Sequence, residues 1–267
     1  MEHAVIRDED RVAALAPSPS PLLSIGRWFY ALPMVAFGVL YLVAGDLTPR
    51  FLPGWPSWLP GRALVPYLLG ALLIASGLAI LSRRDIRAGA MTVALLIGVS
   101  LLCGYLPRLV ARPGFGGAWT GPAKYLALLG GALLLAPPSR KEACSSPTFA
   151  PRLFLSAFLV LGGVQHFVYE SFVVTLIPDW IPAHVFWSRL AGLALIAGGL
   201  GLWVPRFARL AATLTGVMIF LWFLILHVPR AAAAPSDPLE WSGVFESLAT
   251  AGIALMLAGL TPRRPTS

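Results

Sequence analysis

Charge is what this chain has least of. Asp, Glu, Lys and Arg make up 12% of its 267 residues, where a soluble domain carries about a quarter. That deficit excludes an ordinary soluble fold. Cysteine is scarce too: there are two, and no C-x-x-C. A disulfide framework and a dithiol redox pair are both excluded. Cys103 falls near the outer end of a predicted span and Cys144 in a loop on the other side of the membrane, so the two cannot pair. No Ser/His/Asp triad or phosphate loop is visible. "GFGGAW" at 114–119 lacks the strand and helix that a dinucleotide turn needs.

Apolar residues fill the space that charge leaves. They make up 57% of the chain, and mean hydropathy is +0.77. A bilayer crossing takes roughly 20 mostly apolar residues. Stretches at about 28–45, 63–81, 88–106, 122–137, 153–171, 186–203, 210–227 and 242–260 meet that length. The pattern predicts an all-α polytopic membrane protein with eight transmembrane helices and the lipid bilayer as its partner. Residues 1–26 read as a disordered cytoplasmic tail ending in "APSPSP", ahead of a signal anchor rather than a cleaved signal.

Net charge is +8. In a membrane chain this reflects the Lys/Arg bias of cytoplasmic loops, so no nucleic-acid partner is expected. Arg83, Arg84 and Arg87, Arg140 and Lys141, Arg206 and Arg209, and Arg263 and Arg264 cluster on the side of the N-terminus. Both termini are expected inside, in a bacterial-type inner membrane.

The chain is written twice. "WLPGRALVPYLLGALLIASGLAIL" from Trp58 matches "WIPAHVFWSRLAGLALIAGGLGLW" from Trp180 at an offset of 122. Upstream the offset becomes 125, pairing Gly38 with Gly163. Each unit holds an even number of spans, which predicts parallel repeats about an axis along the membrane normal. The expected organisation is a tail at 1–26, a first four-helix repeat at 27–137, a cytoplasmic linker at 138–152, a second repeat at 153–261 and a tail at 262–267.

Ionisable residues break the match. His166 corresponds to Tyr41, His227 to Tyr105, His184 to Arg62 and Glu246 to Lys124. At 1.5 Å rise per residue, His166 and Glu246 each lie roughly 8 Å inside the outer boundary. Glu170 shares a helix face with His166. The candidate ligand-binding residues are therefore His166, Glu170, His227, Glu246, Tyr41, Tyr105 and Lys124, gathered in one outward layer. Ionisable groups within spans mark functional sites by default. The same groups could simply lock helices together, Lys124 and Glu246 as a pair across the pseudo-axis. Spacing supports no metal motif. Trp58 and Pro60, with Trp180, Pro182 and His184, read as interfacial anchors or as a lid over the layer.

"GVQHF", "PDWIP", "GLALIAGGLGL", "VPRFARLA" and "LHVPR" together resemble the DoxX/DoxD family. The resemblance covers 154–260 best, and the family's unit of four spans makes this chain look like a fused tandem pair. It implies a membrane subunit of a redox complex, with a quinone as cofactor and a redox partner subunit. His166, Tyr41 and His227 would supply hydrogen bonds, and Glu246 or Glu170 would take protons. Two other readings stand beside it: a non-catalytic scaffolding membrane protein, and a transporter built on parallel repeats.

Overall fold

The computed structural model describes residues 20–45, 63–113, 116–137 and 146–262. Among these residues the chain is helical and has no strand. Eight long rods follow one another in them: α1 (Pro21–Ala44), α2 (Val65–Ser82), α3 (Ile86–Ala111), α4 (Gly117–Leu135), α5 (Phe149–Val168), α6 (His184–Gly201), α7 (Ala208–Ala233) and α8 (Pro238–Leu260). Six of them, all but α4 and α6, are long and apolar enough to cross a membrane. α4 and α6 have 19 and 18 residues, and Lys124 and Arg189 lower their hydropathy.

The outer surface of the bundle explains its solvent. Leu68, Leu95, Leu102 and Leu193 are 63%, 66%, 66% and 59% exposed. An apolar surface this continuous would aggregate in water, whereas lipid matches it. Helices that are apolar all round, such as α2, suit the same environment.

Helix ends differ from the sequence expectation for identifiable reasons. α1 begins at Pro21, inside the segment 1–26 expected as a tail, because proline's fixed φ and missing N–H suit a first helical turn. α5 begins at Phe149, inside the expected linker 138–152. α3 and α7 run past their expected ends at 106 and 227. Each contains a π-helical turn, Ser100–Tyr105 and Phe223–His227, just before Pro107 and Pro229. In a regular α-helix those rings would strike the carbonyls of Cys103 and Ile225. The wider turn lets the rods continue to Ala111 and Ala233.

Contacts recur at the sequence offsets. A Cβ on Gly38 would lie 2.6 Å from the Gly70 oxygen, and one on Gly163 2.7 Å from the Gly192 oxygen. These glycines let α1 meet α2, and α5 meet α6, backbone to backbone. The Trp119 indole donates to the Pro113 carbonyl at 3.0 Å, and Trp241 donates to Pro235 at 3.0 Å. Each of these pairs is a sequence match.

The two halves meet through α1 on α8, α4 on α5, and α4 on α8. α8 is the central rod: 78% of its apolar window is buried, against 22–44% in the other five apolar helices. Small residues allow this. Ala249, Ala251, Ala254 and Ala258 are fully buried. Its last carbonyls, left without intrahelical donors, are held by Arg209 of α7, which donates to Ala258 at 3.0 Å and to Thr261 at 2.9 Å.

Candidate functional site

A cavity of about 540 Å³ lies inside α5–α8 and extends to α4. Leu195, Ile219, Phe158 and Trp222 supply its apolar wall. Its polar groups sit toward the end of the bundle where α5 stops and α4 and α8 begin. His166, His227, Lys124 and Glu246 all line it. The volume falls in the range of small-molecule sites, about 300–1,000 Å³.

Lys124 and Glu246 are sequence equivalents, and they bond to each other. The ammonium donates to Glu246 Oε2 at 2.6 Å. The Glu246 carboxylate is nearly sealed, with 4% of its side chain exposed, while Lys124 keeps 22%. An ammonium has three hydrogens to donate, so Lys124 has hydrogens beyond this bond to offer a guest.

The two histidines are oriented differently. His166 Nδ1 lies 2.7 Å from the Gly162 carbonyl on its own helix. A carbonyl only accepts, so Nδ1 carries the proton, and Nε2 of the neutral ring is an acceptor. The ring lies nearly parallel to Trp222, with centroids 6.2 Å apart. His227 closes the π-helical turn of α7 and rests against α8 at Gly243. A Cβ at Gly243 would sit 3.1 Å from His227 Nδ1, so glycine there is what admits the ring.

Gln165 and Tyr169, on either side of His166, also line the cavity and have structural partners. Thr120 donates to Gln165 Oε1 at 2.9 Å, and Gln165 Nε2 donates to the Gly116 carbonyl at 3.1 Å. Gln165 thereby ties α5 to the start of α4. The Tyr169 hydroxyl lies against Gly116, where no side chain would fit.

The remaining predicted residues lie apart from the cavity. Tyr41 is buried in the first half, and Tyr105 packs on Tyr125 with ring centroids 4.9 Å apart. Glu170, past the end of α5, pairs with Arg189 through bonds of 2.6 and 3.1 Å. Trp180 is 70% exposed, Pro182 is exposed, and His184 opens α6; none of the three lines the cavity. Trp58, Pro60 and Cys144 lie outside the described residues. Among the described residues, no three of His, Cys, Asp and Glu converge as a metal would require.

The hydrogen bond from Arg189 holds the Glu170 carboxyl below the ordinary carboxylate range, with desolvation opposing and the Arg189 charge assisting. A depressed folded pKa stabilises above the unfolded value and is lost as pH falls through the lower one. The pair is solvent-exposed, so the effect is small. Wild type and Glu170→Gln should differ slightly in thermal midpoint at pH 7. That gap should close as pH falls below about 4; a gap unchanged in acid would assign Glu170 a role other than this ion pair.

Phe158, Gly162, Trp222, Ser247 and Thr250 line the cavity without having stood out as site residues. A signal for two of them was present. The offsets that align the halves set Gly162 against Phe37 and Ser247 against Tyr125, both large-to-small changes.

Residues 155–257 match a family model described as a domain of unknown function (DUF8561). The match spans α5–α8, the rods around the cavity. Comparison with curated proteins and with solved structures finds no match.

Proposed function

We propose that this chain is an eight-span protein of a bacterial-type inner membrane that holds a quinone in the α4–α8 cavity, near the outer leaflet. On this reading it is a tandem pair of parallel DoxX/DoxD-like four-helix units with both termini inside. It serves a redox complex as the membrane subunit, and a separate partner moves the electrons. The matched glycine and indole contacts support the duplication, and the arginine clusters near the N-terminal side support the orientation.

One observation carries the ligand assignment. An apolar chamber of about 540 Å³ ends in two imidazoles and a lysine–carboxylate pair. A quinone needs that combination: an apolar wall for the ring and a few placed polar groups for its oxygens. Lys124 donates to a carbonyl oxygen. His166 Nε2 accepts from a quinol hydroxyl, or donates to a carbonyl when the ring is charged. Glu246 stands beside them as an ionisable group. Glu170, paired with Arg189 outside the chamber, takes no part.

Binding is read directly by titrating a short-chain benzoquinone into the purified protein. Quenching of Trp222, measured against a Trp222→Phe control, should saturate. His166→Ala should weaken binding about tenfold, the equivalent of one lost hydrogen bond of about 1.4 kcal/mol. The scaffolding reading draws on the internal pairing of Gln165, Glu170 and Lys124. It would replace this one if no quinone co-purified, quenching were linear, and His166→Ala only lowered thermal stability.

A further inference from the structure

At the positions that match the chamber's lining, the first half carries large buried side chains. At the sequence offsets Gly162 corresponds to Phe37, His166 to Tyr41, His227 to Tyr105, Ser247 to Tyr125 and Thr250 to Leu128. The backbone contacts share that register, since Gly38 meets Gly70 as Gly163 meets Gly192. Phe37, Tyr125 and Leu128 are 0% exposed and Tyr41 is 1%. They belong to the close-packed core, and the Tyr105 and Tyr125 rings touch. Where the first half has four aromatic rings and Leu128, the second has glycine, two smaller imidazoles, serine and threonine around about 540 Å³ of space.

Gly162 is informative because it is not a packing glycine. A Cβ there would meet only Leu195 Cδ1, at 3.8 Å, an ordinary contact, whereas its neighbour Gly163 would meet the Gly192 oxygen at 2.7 Å. Helix approach requires Gly163 and leaves Gly162 free. Glycine within a helix is unfavourable, and protein interiors close-pack when nothing prevents it. The small residues at 162 and 247 therefore keep a chamber open.

We infer that the chamber takes one molecule per chain, whose six-membered ring bears hydroxyl or carbonyl oxygens and occupies the space that Phe37 and Tyr125 fill in the first half, and that Gly162 and Ser247 set its size. The tyrosines of the first half are built-in stand-ins for that ring. This inference rests on the ligand reading above and adds to it the stoichiometry and the residues that set the size of the chamber.

The test restores the plugs, with the full-length protein in detergent and a short-chain benzoquinone as the probe. Equilibrium binding should give one equivalent per wild-type chain. Gly162→Phe and Ser247→Tyr should each weaken binding by about tenfold or more while the protein stays folded, as judged by its thermal transition. Wild-type affinity in both variants would overturn this inference and leave the ligand reading standing. Unfolding of both variants would also contradict it, since the shared scaffold should close on these rings as the first half does. A wild-type protein that binds no benzoquinone would remove the ligand reading, and this inference with it.

Discussion

Lys124→Met should destabilise the folded protein by about 3–5 kcal/mol, the usual cost of breaking a buried ion pair from one side. Glu246 is 3% exposed, and its carboxylate is held by Lys124 at 2.6 Å. Methionine keeps the length of the stem and removes the ammonium. Adding Glu246→Gln to the same chain should recover most of the loss, because the second change removes the buried charge whose counter-charge the first took away. Glu246→Gln alone should cost less than Lys124→Met, since Lys124 retains access to the cavity. Unfolding in detergent, run as a double-mutant cycle, measures all three. If the two single changes add without coupling, the ion pair does not hold α4 to α8.

Gly252→Leu should be as severe. α1 and α8 cross with Gly26 and Gly252 face to face, and a Cβ on either would lie 2.6 Å from the backbone oxygen of the other. Backbone cannot swing aside as a side chain can, so the helices must separate. Overpacking costs about 1–3 kcal/mol when side chains can adjust, and here about 3 kcal/mol or more is expected. Gly98 is the control. No atom lies within 4 Å of a Cβ built there, so Gly98→Ala should stabilise α3 by about 0.5–1 kcal/mol through helix propensity alone. Thermal midpoints of the two variants should move in opposite directions. Equal tolerance of both would show that the α1–α8 seam is not closely packed.

The apolar runs and the two offsets carried much of this structure. They located the rods, and the offset of 122 matches Lys124 with Glu246, which bond to each other at 2.6 Å. Helix depth likewise grouped His166, His227, Lys124 and Glu246, which share one cavity. Glu170 was harder to place. Its spacing from His166 suggested a common face, but the chain turns after Val168 and the carboxylate meets Arg189, nineteen residues away in sequence. Long-range pairing of that kind leaves no local pattern. Helix ends were misjudged at Pro107 and Pro229, since proline normally ends a helix and nothing in the residues announces a π-helical turn.

The cavity was the least legible feature. Volume arises from what several helices fail to fill, so no single residue encodes it. Gly162 sits beside Gly163 in the same helix, and only the surrounding atoms separate their roles. Gln165, next to His166, is also polar and lies within α5. Its amide is spent on Thr120 and Gly116, which makes it a cross-brace. The same type of residue at the same depth can serve either purpose, and the partners decide which.

Occupancy of the chamber can be read with a photoreactive azidobenzoquinone. The full-length protein in native membranes would be illuminated with the probe, digested and mapped by mass spectrometry. Labelling should be confined to segments of α5, α7 and α8 that contain His166, Trp222 and Ser247, and excess unlabelled benzoquinone should suppress it. Label spread over lipid-facing positions such as Leu95 and Leu193, with no competition, would contradict it.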